Sequence, residues 1–250
     1  MKPRLIRFIG HILRFRLYEL VRYPLGIISG VLLLSILFIG LFQSTLGITG
    51  GTGLGRDVAL RLVQHYLLWS VIITGLSNVS SAIAEDTRTG SFEILLASGI
   101  SVSLALAGMS LVQSFIMLMA TLAVGLVVSV VYGVDGVFTG ALFLALVTSA
   151  VAATGLGLML GGLTLVFKEI GEMVSLLQFL MLPLFLALDG NPGPAYLIPG
   201  FSGLAWFAGP PGLSTALTAI LPALFWFGAG MLVFRFATHR ARHKATVYEF

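Results

Sequence analysis

Three sets of residues in this chain have types and spacings that could do chemistry. Gly200-Phe201-Ser202-Gly203 sets a serine between glycines, and a serine becomes a nucleophile at neutral pH only beside a general base. The histidines that could serve are His65, His239 and His243. Arg61 and His65, about one helical turn apart, are ionisable residues inside an apolar stretch, where such residues usually mark ion or proton pathways. The stretch LGITGGTGLGRD has glycines at 50, 51, 53 and 55 and invites comparison with a phosphate cradle. A P-loop needs Lys-Ser/Thr after its last glycine and a strand before it; Arg56-Asp57 follow here, so the stretch reads as a flexible turn. GxxxxGK[ST] occurs nowhere in the chain, so any nucleotide must bind another polypeptide. Cysteine is absent, which excludes disulfides and thiolate metal sites.

The elements that must position these residues follow from composition. Of 250 residues 58% are hydrophobic and 10% charged, whereas a soluble domain carries about a quarter of its residues charged. Apolar runs long enough to cross a bilayer, about 20 residues each at helical rise, are expected at 24–46, 58–84, 102–131, 137–167, 172–188 and 213–236. The fold class is therefore all-α integral membrane, one transmembrane domain over 1–250, with no room for a soluble catalytic domain. Lys2, Arg4, Arg7, Arg14, Arg16, Arg22, Arg88, Lys168, Arg235, Arg240, Arg242 and Lys244 all fall on one side of a six-span arrangement, and only Arg56 and Arg61 on the other. Lys and Arg are retained on the cytoplasmic side, so a multi-pass protein of the cell membrane with both termini cytoplasmic is expected. The net charge of +4 is then a topology signal whose counter-surface is anionic membrane lipid; no nucleic acid is implied.

Residues 1–23 interleave apolar and basic side chains, and at 100° per residue most arginines stand apart from the apolar face. That is the pattern of an amphipathic helix lying in the interface, broken at Pro24. The segment 190–211, bracketed by Pro192, Pro194, Pro199, Pro210 and Pro211, is too broken to span and too apolar to float in water. It is expected to dip into the outer leaflet as short re-entrant helices packed on the fifth and sixth spans, with Trp206 at interfacial depth. Two readings stay open for Arg61 and His65: side chains snorkelling to headgroups, or, with Trp206, part of a pathway or lid. Gln64, Gln113 and Gln178 are expected to bond between helices. In GLGLMLGG, Gly155, Gly157, Gly161 and Gly162 read as a packing face.

Two resemblances bear on function. The GxSG at 200–203, with six spans, resembles the rhomboid-type intramembrane proteases, but that family's base is a histidine on the last span, which has none here; His239 and His243 lie in the tail on the opposite face. The stronger resemblance lies at E85-D-T-R-T-G-S-F-E-I-L-L-A-S-G-I-S101, which is similar to the cytoplasmic signature E-x-x-R-x-x-G-[TS]-[LF]-E-x-L-L of type-2 (ABC-2) ABC transporter permeases. Glu85, Arg88, Gly90, Ser91, Phe92, Glu93, Leu95 and Leu96 fit, with one residue fewer between Arg88 and Gly90, and Gly99 stands where that family commonly has proline. The elbow helix, the span count, Lys168-Glu169 and the broken outer segment extend the resemblance to the whole chain.

The resemblance implies that 85–98 is a coupling helix. Its ridge of Phe92, Leu95 and Leu96, rimmed by Glu85, Asp86, Arg88 and Glu93, would dock on an ABC ATPase subunit. It further implies two ATPase copies, which bind the ATP and Mg, a second copy of this chain or a paralogous permease, and no cofactor on this chain. The function implied is ATP-driven export, without catalysis by the permease itself. A nearly charge-free interior favours a lipid-like, amphipathic or drug cargo, and glycans use the same architecture. The alternatives are an ATP-coupled membrane assembly or regulatory subunit and, remotely, the protease.

Overall fold

The computed structural model describes residues 56–88, 102–134, 136–167, 171–187, 198, 200–208 and 212–244, together with residues 10, 14, 18, 22, 25, 28, 29, 32, 33, 35–40 and 43. Every regular element among the described residues is helical. We label them α1 (Arg56–Arg88), α2 (Val102–Tyr132), α3 (Gly140–Phe167), α4 (Gly171–Ala187), a 3₁₀ turn (Phe201–Leu204), α5 (Ala205–Ala208) and α6 (Leu213–Lys244). Four stretches are long and apolar enough to cross a membrane: Val58–Ile83 in α1, Ala105–Tyr132 in α2, Gly140–Phe167 in α3 and Leu213–Arg240 in α6. Each has at least 26 residues, about 39 Å at 1.5 Å per residue against a hydrocarbon core of about 30 Å.

The second, third, fourth and sixth expected spans thus coincide with long helices. The fifth coincides with α4, whose 17 residues reach only about 25 Å. Of the first expected span and the interfacial helix before it, the described residues are helical and mostly exposed, among them Tyr18, Leu25, Leu32 and Leu33; the remainder lies outside the described residues.

Local chemistry sets the ends of the hairpin between α2 and α3. α2 stops at Gly133, whose φ of 63° is the left-handed conformation that glycine adopts freely, and the Val134 N–H returns to the Ser129 carbonyl at 3.1 Å, closing a Schellman motif. α3 begins behind Thr139, whose hydroxyl accepts the Leu142 N–H at 3.1 Å; this is an N-cap bonding its N3 position, so the helix starts three residues later than expected. Pro222 lies inside α6, where it removes one intrahelical bond, yet the helix runs on to Lys244.

α3 is the centre of the molecule, packed most extensively on α6 and α1 and less on α2, while α4 leans on α1. Its side chains are small and buried around the helix, from Leu142 and Ala145 to Gly162 and Leu165. Two apolar clusters hold the bundle. The larger joins Tyr66, Trp69 and Ile72 to Leu118, Leu142, Leu146, Phe201, Leu204 and Trp206. The smaller joins Ile83, Leu106, Leu158, Leu165 and Phe234, so the last turns of α1 and α3, the first of α2 and the final third of α6 share one end of the bundle. Outward-facing Leu111, Phe115, Leu126, Phe143, Leu224 and Phe225 form an apolar belt, the surface a bilayer covers and water does not.

Candidate functional site

The end of the bundle that gathers Ile83, Leu106, Leu165 and Phe234 is also where residues 85–101 join α1 to α2. Glu85, Asp86 and Arg88 are not in a separate short helix: α1 continues without interruption to Arg88, which carries these charges about one turn beyond Ile83 on the same rod. Gly90, Ser91, Phe92, Glu93, Leu95 and Leu96 lie outside the described residues.

At the opposite end the segment before α6 forms a compact seat. Gly200 has φ 89°, and its backbone rests on Ile72 of α1: a Cβ there would lie 2.9 Å from Ile72 Cγ1. The Phe201 N–H bonds the Ile198 carbonyl at 3.0 Å and starts the 3₁₀ turn, whose four residues are all buried. Gly203 faces α3 so closely that a Cβ would overlap Ser149 Oγ and stand 2.5 Å from the Ala145 carbonyl oxygen. Trp206 follows on α5, 9% exposed. The described part of the outer segment packs chiefly on α3 and α6, with Ile72 of α1 beneath Gly200; the contact with α6, the sixth expected span, is the expected one, while α3, the fourth, takes the place of the fifth. The reason is shape: the glycine and alanine surface of α3 admits a backbone.

His65 and Arg61 part company. The imidazole is 7% exposed; its Nδ1–H donates to the Arg61 carbonyl at 2.7 Å, which fixes that tautomer when the ring is neutral, and the ring faces Phe207 at a centroid distance of 6.3 Å. Arg61 is exposed. Arg61 thus stands outside the packing that buries His65 against Phe207 of α5.

Ser202 is not hydrogen-bonded to a base among the described residues. It is fully buried, and its hydroxyl has no hydrogen-bond partner. His239 neighbours Ala237, which packs on Gly162, thirteen residues along α3 from the Ser149 that touches Gly203; that is roughly 20 Å at helical rise.

Polar side chains inside the bundle serve as glue. Gln178 of α4 donates to Ser77 Oγ and, at 3.5 Å, to the Ile73 carbonyl, as its position predicted. Two hydroxyl pairs escaped the sequence reading: Ser70 with Thr121 at 3.4 Å and Ser114 with Thr154 at 3.0 Å, which tie α2 to α1 and α3. Their only advance signal was a hydroxyl on an otherwise apolar helix. Most such hydroxyls, like Ser110 and Thr164, bond their own i−4 carbonyls and tie nothing.

No protein-family model, curated protein or solved structure matches the chain.

Proposed function

We propose that this chain is the membrane subunit of an ATP-driven exporter of the ABC-2 type. The observation that carries the reading is the stretch EDTRTGSFEILL, residues 85–96, joining two long apolar helices at the end of the bundle where α3 and α6 also finish. Charged residues begin at Glu85, directly beyond the apolar stretch of α1 that is long enough to cross a membrane and ends at Ile83, which supports a protein partner that works at the membrane surface. The chain has no nucleotide-binding motif, so ATP and Mg belong to that partner, a pair of ABC ATPase subunits. A second copy of the chain or a paralogue completes the membrane part. In this reading the signature end and both termini are cytoplasmic, in the cell membrane, and the seat formed by 200–208 lies toward the outer leaflet. Movement of the ATPases pushes on 85–98 and is passed up α1, a continuous rod of 33 residues, to the seat on which Gly200 rests. The cargo class is lipid-like, amphipathic, drug or glycan.

The test is co-purification. Phe92→Asp and Glu93→Arg should each leave the chain in the membrane and detach the ATPase. Unchanged co-purification in both variants would overturn the proposal.

A further inference from the structure

The outward face of α6 changes character abruptly. Leu213, Leu221, Phe225, Leu232 and Phe236 are exposed by 78, 59, 65, 69 and 68%. At 100° per residue, Leu221, Phe225, Leu232 and Phe236 fall within about 60° of one another. From Leu213 to Phe236 the exposed apolar surface runs about 35 Å, close to the hydrocarbon thickness of about 30 Å. Arg235, His239 and Arg240 follow, all exposed, while Phe234, Ala237 and Thr238 turn inward. Arg235 and Arg240 diverge by about 140° around the helix and about 7.5 Å along it, and the directions of Leu232 and Phe236 pass between them. The two guanidiniums form a fork at the head of an apolar track, and α6 carries no acidic residue along its length.

We infer that this fork is a binding site for one anionic glycerophospholipid, its phosphate held between Arg235 and Arg240 beside His239 and an acyl chain lying along Phe236, Leu232 and Phe225. Complementing the helix dipole does not account for the arrangement, because that effect is confined to the last turn and Arg235 is nine residues from Lys244. A second copy of the chain does not fit the stripe either: a two-fold contact there would set each Arg235 and Arg240 against its own counterpart in the partner. Guanidiniums bind phosphate through paired N–H groups, and Arg235, the deeper of the two, reaches the headgroup level by lying along the helix. The inference needs only the membrane-spanning character of α6 and is independent of what is exported.

The experiment uses the full chain in detergent and native mass spectrometry of bound lipid, with phosphatidylglycerol and phosphatidylcholine as probes. Arg235→Gln/Arg240→Gln should weaken phosphatidylglycerol binding about thirtyfold, from about 1 kcal/mol for each basic residue near the surface and a factor of ten for each 1.4 kcal/mol. Phosphatidylcholine binding should not change. Arg235→Lys/Arg240→Lys should recover most of the loss, and Arg61→Gln, at the other end of the bundle, should cause none. Unfolding temperatures of the variants establish that the fold is intact. Equal phosphatidylglycerol binding by wild type and the glutamine pair overturns the inference, as does an equal loss in Arg61→Gln. A glutamine pair that keeps its lipid but no longer retains a co-purifying protein overturns it too, and assigns the fork to a protein surface.

Discussion

Gly155 of α3 and Gly230 of α6 touch through their backbones. A Cβ built on Gly230 would stand 2.6 Å from the carbonyl carbon of Gly155 and 2.8 Å from its Cα, and one on Gly155 would stand 2.6 Å from the Cα of Phe227. Lower down the same interface a Cβ built on Gly162 would stand 3.2 Å from Ala237 Cβ and 3.3 Å from Phe234 Cα. In a bilayer, where lipid tails are as apolar as leucine, such close approach is what helix association rests on.

The glycines therefore divide sharply in their tolerance. Overpacking of a well-filled core costs about 1–3 kcal/mol, and Gly155→Val or Gly230→Val should reach or exceed the upper end, because the obstructing atoms are backbone and cannot rotate away. Gly228, two residues from Gly230, has nothing within 4 Å of its would-be Cβ. Gly228→Ala should be neutral or stabilising by up to about 1 kcal/mol through helix propensity. Thermal unfolding in one detergent reads all three; similar midpoints for Gly228→Ala and Gly230→Val would refute this crossing.

The tie between α4 and α1 is tested by a double-mutant cycle. Gln178 reaches Ser77 and the Ile73 carbonyl across the helix pair. Interhelical hydrogen bonds in membranes average about 0.6 kcal/mol with a maximum near 1.7, so Gln178→Leu and Ser77→Ala should couple within that range. Additive effects would mean that the two side chains act separately.

These residues show what the sequence could and could not convey. Gly155 and Gly162 were legible as a packing face, and Gln178 as an interhelix bonder, because small and amide side chains on an apolar helix have few other uses. Helix ends were less legible, since hydropathy marks where a bilayer ends and not where hydrogen bonding does: α1 runs on to Arg88 and α6 to Lys244, beyond the apolar runs that announce them. The burial of His65 was hidden because its partner, Phe207, arrives from more than a hundred residues away. The seat at 200–208 was expected from its prolines, but its docking partner depends on the shape of α3, which only packing reveals.

Sidedness can be read chemically. Gly140, first residue of α3, is exposed with open space at its would-be Cβ, and His239 is exposed near the other end of the bundle. With both termini cytoplasmic, Gly140→Cys should react with a membrane-impermeant thiol reagent in intact cells and His239→Cys only after lysis. The reverse pattern would invert the protein and place residues 85–101 outside, where no ATPase could reach them.

The seat itself separates an exporter from a protease most directly. Ser202 is fully buried with an unbonded hydroxyl, and an unsatisfied buried polar group costs about 1–3 kcal/mol. Ser202→Ala should therefore leave stability unchanged or raise it, and should leave ATP-dependent function intact. Its neighbours are predicted to be far less tolerant. Gly203→Ala would drive a methyl into Ser149 Oγ and the Ala145 carbonyl. Gly200→Ala would force an alanine to φ 89° against Ile72, a conformation that costs an L-residue about 1–2 kcal/mol before any contact is counted. Both should lower the unfolding midpoint and loosen the 200–208 seat, read as faster proteolysis within it. If Ser202 were a nucleophile, the ranking would turn over: Ser202→Ala would abolish activity and labelling by a serine-directed phosphonate with no loss of stability, and that single result would displace the exporter reading.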